Sequence, residues 1–263
     1  MPDEPELVET LLSEGDPPVY VIERPRGSSP LLLVCDHAGR EIPRKLGSLG
    51  LSERELGTHV AWDLGIAELG QRLSARLDAF LIQQRYSRLV IDANRPPQSP
   101  ESIVSLSERT RIPGNEGLSA LETRRRVEEL FEPYHRRIRQ ELDRRAAEGQ
   151  ASVLVSLHSF TPRYLDVARR WHAGVLYGRD PTLGQVLLSL LRRDAALEVG
   201  DNEPYAMSDD GDYTVVVHGE RRGILHVELE IRQDLLQDER GQVSWSERLA
   251  LALELALRQL FPT

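Results

Sequence analysis

Short apolar runs alternate along this chain with longer segments whose apolar residues recur at helical spacing. We predict strands at residues 19–22, 31–35, 79–83, 89–91, 152–157, 174–177 and 224–231, and helices at residues 62–77, 119–148, 181–193 and 245–260. Alternation of this kind is typical of a sheet whose strands are joined by helices. The pattern favours an α/β sandwich with a largely parallel sheet, and we expect residues 1–263 to form one domain.

Two long segments between these elements, residues 92–118 and 197–212, are rich in proline, glycine, asparagine, serine and aspartate. Long ordered loops in a compact domain usually have a functional role. We expect both segments to line a site, and neither to link two domains.

The composition limits the classes of function. The formal net charge of -9 disfavours a general nucleic-acid-binding protein, which needs a positive face to displace phosphate counterions. The arginine-rich segment between residues 122 and 145 also holds many acidic residues, so we interpret it as a solvated helix with ion pairs. Binding of nucleic acid through that helix is the less favoured alternative.

The sequence gives no sign of a membrane segment or of a disulfide framework. No apolar run is long enough to span a bilayer, and the acidic N-terminal sequence MPDEPELVET lacks the features of a signal peptide. We therefore expect an intracellular, cytoplasmic protein without membrane contacts. Because Cys35 is the single cysteine, a metal site here would need histidine and carboxylate ligands.

Two histidines follow or end apolar strands. His37 comes directly after the run that ends at Cys35, and His158 ends the run that begins at residue 152. Open α/β sheets collect their ligands at the carboxyl ends of their strands. The two histidines are therefore candidates for one site, although a hydrogen-bonded structural histidine is the alternative for each.

The strand predicted at residues 224–231 has two different faces. Side chains alternate along a strand, so His226, Glu228 and Glu230 share one face, opposite the apolar one. A sheet with one solvated side would produce this pattern. A general base at a strand end, supported by the charged residues that follow Glu230, would produce it as well.

Polar residues near two further elements add candidates. Asp63 lies at the predicted start of a helix, where it is either an N-terminal cap or a ligand. Arg88, Asn94 and Arg95 surround the end of another predicted strand, and their side chains suit recognition of a carboxylate. The alternative is a loop in which Asp92 pairs with one of these arginines.

The sequence lacks the motifs that usually identify several enzyme classes. The chain has no nucleophile elbow, phosphate-binding loop, dinucleotide fingerprint or zincin helix motif. Cys35 could act as a thiol nucleophile with His37, but a lone cysteine that closes an apolar strand is usually just buried.

A series of collinear motifs resembles the N-formylglutamate amidohydrolase family, and in particular a divergent branch of it. The motifs cover residues 31–262 in order: CDHAGREIP, HVAWDLG, YSRLVIDANRP, IPGN, PYH, SLHSFTP, WHAGVLY, GDNEPY, DYTVVVH and ELEIRQDL. Because that family resembles the zinc carboxypeptidases, the resemblance implies a three-layer α/β/α sandwich with a mixed, largely parallel sheet. It also implies one Zn²⁺ per chain and hydrolysis of a small amide.

The resemblance assigns roles to particular residues. His37 and His158 would bind the metal. Asp63 would be the carboxylate ligand, with Glu41 as its rival. Glu230 would be the base that takes a proton from water at the zinc and delivers it to the leaving amine.

The resemblance also implies substrate contacts. Arg88, which we count among the catalytic groups, would hold a substrate carboxylate together with Asn94 and Arg95. Arg232 either contributes to these contacts or only pairs with a neighbouring acid, Glu228 or Asp234.

The chain departs from family members with assigned formylglutamate activity. Those carry HSG where this chain has HAG, and they lack its SFTP, DNEPY and RQDL signatures. A related amidase, a carboxypeptidase-like peptidase and a non-catalytic protein that binds a small acid therefore remain as alternatives. The other histidines, His59, His172, His218 and His226, are expected to be structural or to support the ligands.

Overall fold

The structure is a computed structural model that describes residues 10–261. Most of the acidic N-terminal sequence, on which the cytoplasmic expectation partly rests, lies outside these residues. The strands are β1 (Tyr20–Glu23), β2 (Leu31–Cys35), β3 (Phe80–Gln84), β4 (Leu106–Ser107), β5 (Thr110–Arg111), β6 (Val153–Phe160), β7 (Arg163–Tyr164), β8 (Val167–Ala168), β9 (Ala173–Leu176), β10 (Val199–Asp201) and β11 (Leu225–Arg232).

The α-helices are short at the start of the chain and longest at its end. They are α1 (Glu53–Leu56), α2 (Ile66–Leu77), α3 (Ala120–Arg126), α4 (Glu132–Ala147), α5 (Thr182–Leu191), α6 (Thr214–His218) and α7 (Glu239–Leu260). A π-helical turn, Val127–Phe131, joins α3 to α4. Within residues 10–261, no helix is both long enough and apolar enough to cross a membrane.

One mixed sheet organises the fold, with strand order β1-β3-β2-β6-β11-β9-β10. The four neighbours β3, β2, β6 and β11 run parallel, whereas β1 pairs with β3, and β9 with β11, in antiparallel fashion. The remaining strands form two small hairpins, β4–β5 and β7–β8. Parallel strands buried on both faces read as continuous apolar runs, which explains why β2 was evident in the sequence.

Helices cover the sheet on two sides. On one face, α2, α5 and α7 pack over a cluster that includes Leu33, Val155 and Leu229. On the other face, α4 packs over a smaller cluster that includes Val34 and Tyr134. This arrangement confirms the predicted α/β/α sandwich with a mixed, largely parallel sheet.

The predicted strand at residues 89–91 is wrong. Leu89 and Val90 lie in a turn, and their carbonyls accept hydrogen bonds from side chains, at 2.8 Å from Asn115 Nδ2 and 2.9 Å from Arg126 Nη1. Because the side chains satisfy these backbone groups, no neighbouring strand is required. The prediction also missed β10, both hairpins and the short helices α1 and α6.

The predicted helix boundaries need three corrections. Helix α2 begins at Ile66 rather than at residue 62, after Gly65 adopts a left-handed conformation with φ 77°. The long helix at 119–148 contains the π-helical turn just before Pro133, which has no N–H to donate. Helix α7 begins at Glu239, where Asp238 caps it.

The arginine-rich helix is more buried than predicted. It does carry ion pairs, including Arg144 with Glu141 at 2.7 Å. Arg126 and Arg145 are buried, however, and each donates to backbone carbonyls of other segments. Arg126 connects the helix to the turn at Val90, and Arg145 connects it to the start of β2, so neither is available to an external partner.

Candidate active site

Three adjacent parallel strands bring the predicted reactive residues together. His37 follows β2, His158 lies near the end of β6, and Glu230 lies near the end of β11. In the register of the two longer strands, Glu230 is directly opposite His158. Parallel strands end at the same edge of the sheet, so all three side chains lie at one mouth of the sandwich.

His37, Asp63 and His158 form a compact buried group. One nitrogen or oxygen atom from each lies within 4.8 Å of the corresponding atoms of the other two. Asp63 Oδ2 is 3.0 Å from His158 Nδ1 and 3.6 Å from His37 Nδ1. His37 Nδ1 is buried and has no hydrogen-bond partner among residues 10–261. A bound metal ion would give this nitrogen the partner that it lacks.

Further carboxylates orient both imidazole rings. His37 Nε2 lies 2.6 Å from Asp92 Oδ1, and His158 Nε2 lies 3.5 Å from Asp36 Oδ2. His158 Nε2 also lies 3.1 Å from Ser156 Oγ, so the Nε2 of each ring has a polar partner and its Nδ1 faces Asp63. Carboxylate support of this kind fixes the tautomer and orientation of histidine ligands in metal sites.

Asp63 is not the N-terminal cap of a helix. Its backbone N–H donates to the carbonyl of His37 at 2.9 Å, which holds the loop before α2 against the end of β2. Its carboxylate accepts from Ser159 N at 3.1 Å as well as from His158. Glu41 is exposed and lies outside the buried group, so of the two predicted carboxylates Asp63 is the one that could hold a metal together with His37 and His158.

The two glutamates of β11 are buried, so the alternative of a solvated face is wrong. Burial raises the pKa of Glu228 and of Glu230 to about 7, because the charge of His158 offsets the effect only in part. Glu228 accepts from Asn94 Nδ2 at 3.3 Å. Glu230 Oε2 has no hydrogen-bond partner in the described part of the chain and is therefore available to take a proton.

Arg88 connects two of the aspartates. Its Nη2 donates to Asp92 at 2.6 Å, and its Nη1 lies 3.6 Å from Asp63 Oδ1. Burial opposes the charge of Arg88, but the two aspartates outweigh it and raise the pKa of the guanidinium. Burial likewise opposes ionisation of Asp92, yet Arg88 and His37 hold the pKa of that carboxyl well below its usual range.

The group opens into a cleft of about 780 Å³. Its walls come largely from the two long segments predicted to line a site, and Asn94 and Arg95 belong to the first of them. Arg88, just before that segment, also lines the cleft. Hairpin β4–β5 and hairpin β7–β8 contribute Leu106 and Tyr164 to its rim. The turns of the two hairpins meet in an exposed ion pair, Arg109 to Asp166, at 2.7 Å.

Two candidates from the sequence lie outside the cleft. Arg232 pairs with Asp234 at 2.8 Å, as one of the two alternatives predicted, and does not line the cleft. Cys35 is fully buried in the apolar cluster on the other face of the sheet. Burial raises the pKa of its thiol, which disfavours a nucleophilic thiolate paired with His37.

The charge balance of the group fits a divalent cation. Five carboxyl groups are buried there, namely Asp36, Asp63, Asp92, Glu228 and Glu230. Within residues 10–261, Arg88 is the one arginine or lysine that forms an ion pair with any of them. Buried charges are normally paired or bound to metals, so the excess of negative charge favours a cation. The two Nδ1 atoms and one Asp63 oxygen would hold it with a coordination position left open.

Sequence reasoning did not assign roles to three residues of the site. From the sequence, Asp36 is only the residue before His37, and Asp92 is only a possible ion-pair partner of the arginines. Glu228 is only known to share a strand face with Glu230. The alternation along β11 was a sufficient signal for Glu228. No local pattern could show that Asp36 and Asp92 contact histidine rings.

Comparisons with known proteins place the chain in a family. The family profile of N-formylglutamate amidohydrolase matches residues 29–237. An N-formylglutamate deformylase of Pseudomonas aeruginosa is 26% identical over 262 residues, which cover 91% of this chain and 94% of that protein. An N-formylglutamate deformylase of Pseudomonas putida is 28% identical over 252 residues, which cover 89% and 92% of the two chains.

Solved structures agree with this result. A gene product of Agrobacterium tumefaciens superimposes with a TM-score of 0.92 and 36% identity, and the match covers 95% of this chain and 99% of that one. N-formylglutamate amidohydrolase from Ralstonia eutropha has the same fold, with a TM-score of 0.66, 20% identity, and coverage of 90% and 96%. The chain belongs to the N-formylglutamate amidohydrolase family.

Proposed function

We propose that this protein hydrolyses the amide bond of an N-formyl or N-acyl amino acid, such as N-formylglutamate, with one Zn²⁺ per chain held by His37, Asp63 and His158. Family membership supports the reaction class. The observation that carries the proposal is the pairing of a metal-type donor set with Glu230, whose buried Oε2 is free to accept a proton.

Each residue of the site would have its own role in the reaction. A bound Zn²⁺ would supply Lewis-acid chemistry, which polarises the acyl oxygen and makes water more acidic. Glu230 would take a proton from the attacking water and deliver it to the leaving amine nitrogen. Arg88, close to Asp63, would stabilise the negative charge that develops on the acyl oxygen. Asn94 and Arg95 would orient a substrate carboxylate at the wall of the cleft.

The volume of the cleft favours a second candidate substrate class. About 780 Å³ is enough for a drug-sized ligand and exceeds the needs of a formylated amino acid. A related amidase or peptidase that acts on a larger N-acyl group is therefore the runner-up. A panel of formyl, acetyl and peptidyl derivatives of one amino acid would separate the two.

The first test is the metal content of untagged protein, measured by elemental analysis. We expect one zinc per chain in the wild type and loss of zinc in both His37→Ala and His158→Ala. His172→Ala is the matched control, because His172 lies away from the cleft and accepts from Glu198 N. A wild type that neither contains zinc nor takes it up would leave the protein as a non-catalytic binder of small acids.

The second test addresses the base. Glu230→Gln should keep its zinc and lose about 10² to 10⁴ in kcat, which is the usual contribution of a positioned general base. Glu228→Gln should lose less, because Asn94 already occupies Glu228 Oε2 and a glutamine oxygen can accept the same hydrogen bond. Equal activity of Glu230→Gln and the wild type would remove Glu230 from the mechanism.

A further inference from the structure

Three aromatic rings, which we call the aromatic wall, line the cleft beside the reaction centre. Phe160 stands on β6, Tyr164 on β7, and Tyr205 on the loop after β10. Phe160 is buried, whereas Tyr164 and Tyr205 are each 41% exposed, and Leu106 on hairpin β4–β5 is 56% exposed. An apolar group of a ligand gains free energy when it covers apolar surface of this kind in a cleft.

The aromatic wall lies next to a proposed metal ligand and the proposed base. Side chains two positions apart on a strand share a face, so Phe160 is the neighbour of His158 on β6. Gly174 on β9 is opposite Glu230, and a Cβ atom at Gly174 would lie 2.2 Å from the carbonyl oxygen of Glu203. The loop after β10 therefore packs directly on β9, beside the proposed base.

Arg169 holds the two tyrosines from outside the lining of the cleft. Its Cζ lies 4.6 Å from the ring centroid of Tyr205 and 4.8 Å from that of Tyr164, and its Nη1 donates to Tyr205 Oη at 2.7 Å. The backbone of Arg169 is fixed as well, because its N–H donates to the carbonyl of Pro162 at 2.9 Å. A binding surface that is positioned in advance loses little entropy when a ligand binds.

A formyl group would leave the aromatic wall uncovered. In the proposed reaction, Asn94 and Arg95 take the carboxylate of the amine half, and Glu230 protonates the amide nitrogen. The substituent of the acyl carbon is then the part of the substrate that remains to contact the wall. In a formyl group this substituent is a hydrogen atom, which is too small to cover a ring. An aryl substituent can stack on the three rings in the offset or edge-to-face arrangements that aromatic pairs prefer.

We propose that the aromatic wall of Phe160, Tyr164 and Tyr205 binds the acyl group of the substrate, and that this acyl group is apolar and carries an aryl ring. This inference rests on the proposed function, in which the amide is cleaved at Glu230. The substrate class is then an N-arylacyl amino acid. Arg169 is a positioning residue in this site, because it contacts two of the rings and does not line the cleft.

The test compares N-phenylacetyl-L-glutamate with N-acetyl-L-glutamate, which have the same amine half and differ by one phenyl ring. The wild-type holoenzyme should prefer the phenylacetyl compound in kcat/KM by about 10- to 100-fold, the range expected for burial of one aromatic ring. Tyr164→Ala should reduce this preference about 10-fold, because it removes one ring of the wall and the surface around it. Tyr164→Phe keeps the ring and should keep the preference.

Val167→Ala is the matched control, since Val167 pairs with Tyr164 across hairpin β7–β8, is 68% exposed and does not line the cleft. It should keep the wild-type preference, so a general disturbance of the hairpin can be told apart from loss of the ring. Equal preference in Tyr164→Ala and the wild type would overturn the proposal. A wild type without preference for the phenylacetyl compound would overturn it too.

Calorimetric binding of the two intact compounds to the Glu230→Gln holoenzyme makes the result independent of turnover. The phenylacetyl compound should bind more tightly by a similar factor, and Tyr164→Ala in the same background should remove most of the difference. If the wild type hydrolyses neither compound but this difference in binding is found, the proposed hydrolysis fails and the role of the aromatic wall stands. Equal binding of the two compounds sinks the role of the aromatic wall, whether or not hydrolysis is observed.

Discussion

Asp92 shows how much of the site depends on a single side chain. Its carboxylate accepts from His37 Nε2 at 2.6 Å, from Arg88 Nη2 at 2.6 Å and from the backbone N–H of Asn94 at 2.8 Å. It therefore orients one proposed ligand, one proposed catalytic arginine and the loop that carries a proposed substrate contact. The pair with Arg88 is one of the alternatives that the sequence offers, whereas the contact with His37 follows only from the folded chain, since it joins residues 55 positions apart.

We expect Asp92→Asn to lower zinc affinity about 10- to 100-fold, because loss of a carboxylate behind a histidine ligand has effects of that size. Competition with a chromophoric chelator would measure the change. Asp212→Asn is the control, since it removes the ion pair of Arg95 without touching His37, Asp63 or His158. Wild-type affinity in Asp92→Asn would show that Asp92 does not support the metal.

At the scale of elements, the turn before α2 connects Asp63 to the segment that follows β11. Gly65 has φ 77°, and a Cβ atom there would lie 2.5 Å from Leu236 Cβ and 2.7 Å from Leu236 O. Both the backbone conformation and the space require glycine at this position. The turn thereby fixes the start of the helix three residues after Asp63.

Gly65→Ala should destabilise the protein more than Gly117→Ala. Both glycines have positive φ, so each substitution costs about 1–2 kcal/mol in backbone strain. A Cβ at Gly117 meets no described atom within 4 Å, whereas the overlap at Gly65 adds about 1–3 kcal/mol. Urea unfolding of the two variants would measure the difference. Equal losses would mean that the contact with Leu236 relaxes freely.

Elements with a strong local signal were predictable, and elements fixed by distant contacts were not. The apolar runs of β2 and β6, and the alternation along β11, follow from burial and from the geometry of a strand. The run at residues 89–91 has the same composition, but Asn115 and Arg126 hold it as a turn from positions far along the chain.

At the scale of the whole molecule, two buried histidines join α4 and α6 beneath the site. His135 Nδ1 lies 3.0 Å from His218 Nε2, and His135 Nε2 donates to the carbonyl of Ala93 at 2.8 Å. Burial lowers the pKa of His135 to about 4. Burial, together with the charge of His135, also lowers the pKa of His218 well below its usual value. Both rings are therefore neutral in the folded protein near neutral pH.

This pair predicts loss of stability in mild acid. An unfolded histidine titrates near pH 6.5, so between about pH 6.5 and 4 the unfolded chain binds more protons than the folded one. The free energy of unfolding should therefore fall with decreasing pH, by up to about 1.4 kcal/mol per pH unit for each histidine. Urea unfolding between pH 7.5 and 5, in excess chelator to exclude metal release, would measure the slope.

His218→Gln should show a shallower slope than the wild type, because one of the two titrating groups is gone. His172→Gln is the control and should keep the wild-type slope, because His172 is only half-buried. Identical slopes in all three proteins would assign the acid sensitivity to other groups.

His37, His158 and Glu230 stand on strands or just after them, whereas part of the rim of the cleft stands on two small hairpins. Hairpins β4–β5 and β7–β8 pair only within themselves and add nothing to the main sheet. A change in the length or sequence of either hairpin would alter one wall of the cleft and leave β2, β6 and β11 in place. Evolution can therefore vary substrate preference in this architecture almost independently of reaction chemistry, and an engineer could exchange a hairpin with the same freedom.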